Sequence, residues 1–192
     1  MGAVGRVLWG VDTAPLYRSI AQLRAAEGIT VLDAPCGGGI ALRALSAGQN
    51  VRYIAADPCP KLIARAKRRA QRRSLDQVEF TVANVTRLPL RGNEVDVVLC
   101  HGGLHVQADP REVLTELARC LRPGGLLTGT SFFSDELGAR GHRLFGLRGR
   151  RGHPLPPRRE DVFAALAQAG FCEATIGPQS GFAAFSARRS GQ

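Results

Sequence analysis

Apolar and polar positions along the chain follow two alternating rhythms. Short apolar runs rich in β-branched residues occupy 29–34, 51–56, 78–82, 95–100 and 125–131. Two more follow at 171–176 and 182–187. Between the first five, apolar residues recur at helical spacing near 40–47, 60–73 and 110–121, and again at 158–169, where Gly170 closes the segment. The helix over 110–121 finishes on Arg119 and Arg122 before Pro123-Gly124-Gly125, with cations in its last turn and then a breaker. Strands that alternate with helices predict βαβ units, and continuous apolar strands predict a parallel sheet covered on both faces. Right-handed crossovers then wind helices onto both sides, giving a doubly wound α/β fold of seven strands.

Two segments stand apart from this rhythm. Residues 132–157 are long for a loop, yet Phe132, Phe133, Leu137, Leu144, Phe145 and Leu147 make them too apolar for simple disorder. A lid is expected there. Residues 4–26, amphipathic and carrying Trp9, Leu16 and Tyr17, form a second candidate cover. Neither an internal repeat nor a linker is visible, so residues 1–192 read as a single domain.

Composition narrows the class. No apolar run approaches the roughly 18 residues that a membrane span needs. The first dozen residues include an Asp and hold no long apolar stretch, which argues against a secretory signal. Five Cys without a CxxC pair suit a reducing compartment, so a cytoplasmic location is expected. The formal charge of +10 suggests an anionic partner, nucleic acid or a membrane surface among them, although all but two of the 26 basic residues are Arg and a GC-rich coding sequence gives the same bias. Residues 61–73 and 138–159 hold seven cations each and no acid, and what remains is mildly acidic. On the first run, Lys61, Arg65, Arg68 and Arg72 share a helical face, with Leu62, Ala66 and Ala70 available to pack inward; a solvated face is the plain reading. On the second, within the expected lid, Arg could clamp a carboxylate, phosphate or sulfate of an anionic small substrate.

The chemistry concentrates in Val31-Leu-Asp-Ala-Pro-Cys-Gly-Gly-Gly39. A strand ends at Asp33, and Gly37, Gly38 and Gly39 let the backbone turn sharply and approach a ligand. Asp57, at the end of the second strand, is placed to accept two hydrogen bonds from a ribose diol. A dinucleotide fingerprint would need a small residue where Leu42 stands. Asp33 disfavours a pyrophosphate and suits a cationic amino group, which points to S-adenosylmethionine rather than NAD. Asp33 is equally suited to capping the following helix. Cys100, His101 and His105 invite a metal reading, but Gly102-Gly103 argue for a loop, and no carboxylate is close by in sequence. Cys36 suits a small residue in a tight turn, and the remaining Cys read as buried small hydrophobes.

VLDAPCGGG, then Asp57, then the stretch VANVTRLPLRGNEVDVVLCHGGLHVQADPREVLTELARCLRPGGLL resemble the class I S-adenosylmethionine-dependent methyltransferases, most closely the small-molecule type related to ubiquinone biosynthesis. The resemblance covers residues 29–131 and extends more weakly to 187. It implies a Rossmann-like seven-stranded sheet of order 3-2-1-4-5-7-6 with strand 7 antiparallel. It places Asp33, Ala34, Pro35, Cys36, Gly37 and Gly39 around the methionine part of the cofactor, Asp57 on the ribose and Pro58 with Cys59 beside the adenine. Asn84 and Val85 fall near the adenine amino group, and His101 by the transferred methyl. His101 and His105 are the candidates for a general base or for pocket lining. Two departures stand out: Pro35 replaces a glycine and removes a donor, and Asn84 replaces an acid but keeps an acceptor oxygen. The implied reaction moves a methyl group to an O, N or C nucleophile of a small organic acceptor and releases S-adenosylhomocysteine. A methyltransferase acting on RNA and a non-catalytic partner or sensor of the same fold are the alternatives.

Overall fold

The computed structural model describes residues 14–107, 109–149, 154–178 and 181–191. Seven strands form one sheet: β1 (Ile29–Asp33), β2 (Val51–Asp57), β3 (Val78–Val82), β4 (Val95–His101), β5 (Leu121–Phe132), β6 (Phe171–Ile176) and β7 (Phe182–Arg189). Their order is β3-β2-β1-β4-β5-β7-β6, with β7 antiparallel to both neighbours, as expected. The helices are α1 (Ala14–Ala21), α2 (Pro60–Gln71), α3 (Pro110–Cys120), α4 (Ala139–Gly149) and α5 (Arg159–Gln168).

Alternation along the central strands explains why both faces need cover. Val31, Tyr53 and Leu99 point to one face, where they pack with Ile20, Leu42 and Ile63. Leu32, Ile54 and Val98 point to the other, among Leu114, Leu117 and Val162. Every strand residue in that set is at most 3% exposed, so an apolar side chain is required at consecutive positions rather than every second one.

Three expectations change. The helix expected near 40–47 is one 3₁₀ turn, Ala41–Ala44. Only six residues separate Gly39 from Ser46-Ala47-Gly48, too few to repay helix nucleation, and Leu42 and Leu45 reach the core without a full helix. The fifth strand begins at Leu121, paired with Val95, and runs through Pro123-Gly124-Gly125 as an irregularity before Leu126 resumes opposite Val97. The segment 132–157 is not a loop: it holds a 3₁₀ turn, Ser134–Glu136, and α4. Gly141 and Gly146 hide its helical rhythm, and burial of Phe145 at 2% exposure anchors it. Residues 4–13, with Trp9, and residues 150–153 lie outside the described residues.

Close sheet packing rests on Gly129 of β5. A Cβ there would lie 2.1 Å from the Cys100 carbonyl oxygen and 2.6 Å from the Phe185 ring. Backbone cannot yield as a flexible side chain does, so Gly129→Ala is expected to cost about 3 kcal/mol or more. Denaturant titration should show a lower midpoint at an unchanged slope.

Candidate functional site

The carboxyl ends of β1, β2 and β4 open into a cleft of about 600 Å³, within the range of small-molecule sites. It lies where the strand order reverses, between β1 and β4. After β1 the chain turns tightly: the Cys36 N–H donates to the Ala56 carbonyl at 2.8 Å, and the Gly39 N–H to the Cys36 carbonyl at 3.0 Å. Gly37 has φ +54° and Gly39 φ +75°. A Cβ on Gly39 would sit 3.1 Å from that of Ala66, so this glycine lets the loop close onto α2. One carboxylate fastens the arrangement. Asp57 accepts the Gly37 N–H on Oδ2 at 2.8 Å and the Cys59 N–H on Oδ1 at 2.9 Å, tying the β1 turn to the start of α2. Each oxygen keeps a second lone pair for a ligand hydroxyl.

Asp33 is 1% exposed at the floor of the cleft and accepts the Tyr53 hydroxyl at 2.7 Å. Burial raises its pKa from 3.8 to about 7; the Tyr53 hydrogen bond opposes that rise and the neighbouring Asp57 adds to it. The capping role is not what the structure shows, because no helix follows Asp33 and its carboxylate engages Tyr53 instead. Asp33 and Asp57 are the charged side chains of the cleft wall, so the site favours a cationic group.

Pro35 fits because Gly103 makes room for it. A Cβ on Gly103 would lie 2.8 Å from Pro35 Cδ and 2.5 Å from Cys100 Sγ. His101, also in the wall, stands opposite Thr130 in the β4–β5 register, with Nδ1 3.3 Å from the Thr130 hydroxyl. Burial lowers its pKa to about 4, so the imidazole is neutral at physiological pH. Its Nε2 is buried and has no hydrogen-bond partner among the described residues.

The structure therefore gathers Asp33, Pro35, Cys36, Gly37, Asp57, Pro58, Cys59 and His101 around one cavity, with Ala34 buried behind them. Gly39 shapes the turn from outside the wall. Asn84 and Val85 do not line the wall, although the preceding Ala83 N–H donates to the Asp57 carbonyl at 3.2 Å. Asn84 is exposed and its side-chain oxygen accepts the Thr86 N–H at 3.1 Å, while Val85 is buried in the core. His105 is also outside the wall: its Nδ1 accepts the Phe132 N–H at 3.4 Å, and its ring meets Phe132 and Phe145 edge-on. The described parts of the two candidate covers, 14–26, 132–149 and 154–157, contribute no residue to this wall. Arg159 is not a free clamp; it binds Glu136 and the carbonyls of Ile176 and Gly177. Leu62, expected in the core, lines the cleft, and Ile63 takes the inward position on α2. Cys59 is half-buried at the cleft and Cys172 is exposed, so neither is a buried hydrophobe. Sequence reasoning missed Tyr53 and Thr130. The signal for both is strand register: Tyr53 lies on the same face of β2 as Ala55, which pairs with Asp33, and Thr130 pairs with His101.

A doubly wound sheet with an antiparallel seventh strand and a glycine turn at its switch point defines an α/β protein of the nucleoside-cofactor-binding class. The family model described as "Methyltransferase domain" matches residues 32–146, and the chain belongs to that family, the class I S-adenosylmethionine-dependent methyltransferases. Among curated relatives it is similar to a demethylmenaquinone methyltransferase of Clavibacter sepedonicus, at 33% identity over 72% of this chain and 54% of the relative. It is 35% identical to a ubiquinone biosynthesis O-methyltransferase of Cereibacter sphaeroides over 53% of this chain and 40% of the relative. The chain thus spans about half the length of these relatives. The solved YcgJ protein of Bacillus subtilis shares the fold, with a TM-score of 0.75 at 15% identity over 92% of this chain and 98% of that one.

The buried acid makes stability pH-dependent. Below about pH 3.8, Asp33 is protonated whether the chain is folded or not. Between that value and about 7 the folded chain keeps a proton that the unfolded chain has released, so this residue's contribution falls as pH rises and is fully unfavourable above about 7. Asp33→Asn should therefore match the native chain at the acid end and exceed it by roughly 1–3 kcal/mol near pH 8. Denaturant midpoints across this range check the difference. Tyr53→Phe, which removes the opposing hydrogen bond, should extend the sloping region upward in pH.

Proposed function

We propose that this chain binds S-adenosylmethionine in the β1–β2–β4 cleft and transfers its methyl group to an O, N or C nucleophile of a small organic acceptor, releasing S-adenosylhomocysteine. The observation that carries this reading is Asp57, which anchors the Gly37 turn and the start of α2 while keeping acceptor capacity on both oxygens. When bound, S-adenosylmethionine supplies an electrophilic methyl on a sulfonium. The residues present fit that group: two carboxylates face a cationic ligand, Gly37 leaves open space where a Cβ would stand, and the cavity has the volume. Asp57 would hold the ribose hydroxyls, and Asp33 would face the ammonium. Pro58, Cys59 and Leu62 form the wall on the α2 side.

The acceptor would approach from the His101–Val106 side of the cleft, where Gly102 and Val106 complete the wall. His101 there is a neutral, largely buried ring rather than a strong base. Methyl transfer from a sulfonium needs mostly alignment and exclusion of water, which positioning residues supply. The chain would act as one domain in which α4, linked to the acceptor side through the Phe145–His105 contact, helps to cover that side. The relatives named above support a small-molecule acceptor of the quinone-precursor kind. A cytoplasmic setting accords with the cysteine pattern, and no helix among the described residues is long and apolar enough to cross a membrane.

Calorimetric titration with S-adenosylhomocysteine tests the reading: saturable 1:1 binding is expected, and no heat at any concentration overturns it. Asp57→Ala should weaken binding by about 1–3 kcal/mol, roughly fivefold to 150-fold, and unchanged affinity would remove Asp57 from the ribose. A ligand ammonium favours ionised Asp33, so affinity should rise from about pH 5 toward 7 and then level off. In Asp33→Asn that rise should disappear.

A further inference from the structure

Beside the cleft wall, α2 turns outward a face that the proposed reaction does not use. Residues 61–73 carry seven cations and no acid, and all but Arg69 are exposed. Arg43, on the turn Ala41–Ala44, joins them: Arg73 Nη2 donates to the Leu45 carbonyl at 2.9 Å, which pins that turn against the end of α2. None of these eight cations pairs with a carboxylate among the described residues. Elsewhere several arginines pair, as in Arg52 with Glu79, Arg111 with Asp109, Arg119 with Glu116 and Arg122 with Asp96, and those that do not among the described residues, such as Arg18, Arg24 and Arg87, stand singly rather than in a cluster. The crowding is physical. Arg69 is held below its ordinary pKa by burial and then by Arg65, Arg43 and Arg72, so these charges repel one another in the isolated chain.

We propose that this face, from Lys61 to Arg73 with Arg43, is a docking surface for the phosphodiester backbone of a nucleic acid. The surface holds the chain on the polyanion, whereas methyl transfer to a small molecule takes place in the adjacent cleft; the proposal does not depend on that reaction. Two features favour a phosphodiester chain over a lipid surface. The twelve residues of α2 span about 18 Å, alongside roughly five phosphates of one strand, with guanidinium forks that match phosphate oxygens. An interfacial helix needs a free apolar face to enter a bilayer, whereas Ile63, Ala66 and Ala70 are spent in the core, and no exposed large hydrophobic lies on α2.

The test is fluorescence anisotropy of the full chain with a labelled DNA duplex of about 20 base pairs, between about 50 and 200 mM potassium chloride. Binding is expected, with log K falling linearly against log salt. The variant Arg43→Gln/Arg68→Gln/Arg69→Gln/Arg72→Gln should lose at least about tenfold in affinity, with a slope shallower by roughly 3–4, near 0.9 for each contact removed. Replacing the paired Arg111, Arg122 and Arg188, the last 3.5 Å from Glu173, by Gln should change affinity much less. The quadruple variant should melt at or above the native temperature, since it removes like charges; if it fails to fold, Arg72→Gln alone should reduce the slope by about one. Absence of duplex binding at about 50 mM salt overturns the proposal, and so does an equal loss in the paired-arginine control, which would mean net charge alone. Binding only to phosphatidylcholine vesicles containing phosphatidylglycerol, lost in the quadruple variant, overturns it in favour of a membrane.

Discussion

The arrangement of the site depends on one carboxylate holding two loops that are far apart in sequence. Asp57 receives the amide of Gly37 from the turn after β1 and the amide of Cys59 from the start of α2. Loop amides near a cleft must otherwise find water, and loops held only by water do not keep a fixed shape. With both amides on one buried side chain, the glycine turn and the first turn of α2 form opposite sides of the same cavity. The close seat of Gly39 on Ala66 and the hydrogen bond from Cys36 to the Ala56 carbonyl belong to this fastening. The helix also gains: Cys59 offers no side-chain cap, and Asp57 supplies an acceptor at that end instead.

The second carboxylate carries the opposite cost. Asp33 is buried with one hydroxyl partner and close to Asp57, an arrangement that disfavours its charged form. A folded chain tolerates such a group where something outside the chain compensates it, and a cationic ligand would do so. The unpartnered Nε2 of His101 is a further buried polar atom left unsatisfied close to the same cleft. Site and fold therefore pull in different directions at the floor of the cleft. The apolar strand positions just behind it, such as Leu32, Ile54 and Leu99, provide the burial that offsets this strain.

Charge is distributed by the same logic. The net +10 reads as one quantity in the sequence but separates into three settings in the fold. Arginines such as Arg52 and Arg119 stitch neighbouring segments through carboxylates. Arg159, in the second basic run, is folded into the contact between α5 and the turn Ser134–Glu136, over the Phe133 ring. The run on α2 and just past its end gathers seven cations without carboxylate partners, whereas other exposed arginines without such a partner among the described residues, such as Arg18, Arg24 and Arg87, stand singly. Exposed ion pairs contribute little to stability, so the difference bears on what each surface can bind more than on how firmly the chain folds.

Strand positions, the doubly wound class and the glycine turn with Asp33 and Asp57 were legible in the residues. They depend on local rules: alternation, chain reversal and the conformational freedom of glycine at Gly37 and Gly39. Resemblance added the strand order. Contacts that rely on register were not legible, because the pairing of Tyr53 with Asp33 and of Thr130 with His101 follows from how strands align, not from spacing within either one. The same holds for α4, whose glycines mask a helix that the burial of Phe145 stabilises, and for the segment 40–47, whose apolar residues suggested a helix the short connection does not form. Local chemistry thus determined which residues could build a nucleoside-cofactor cleft. Only tertiary packing decided which of them face it, leaving Asn84, Val85 and His105 outside its wall and bringing Leu62 in, because side-chain direction is set by the neighbour each element packs against.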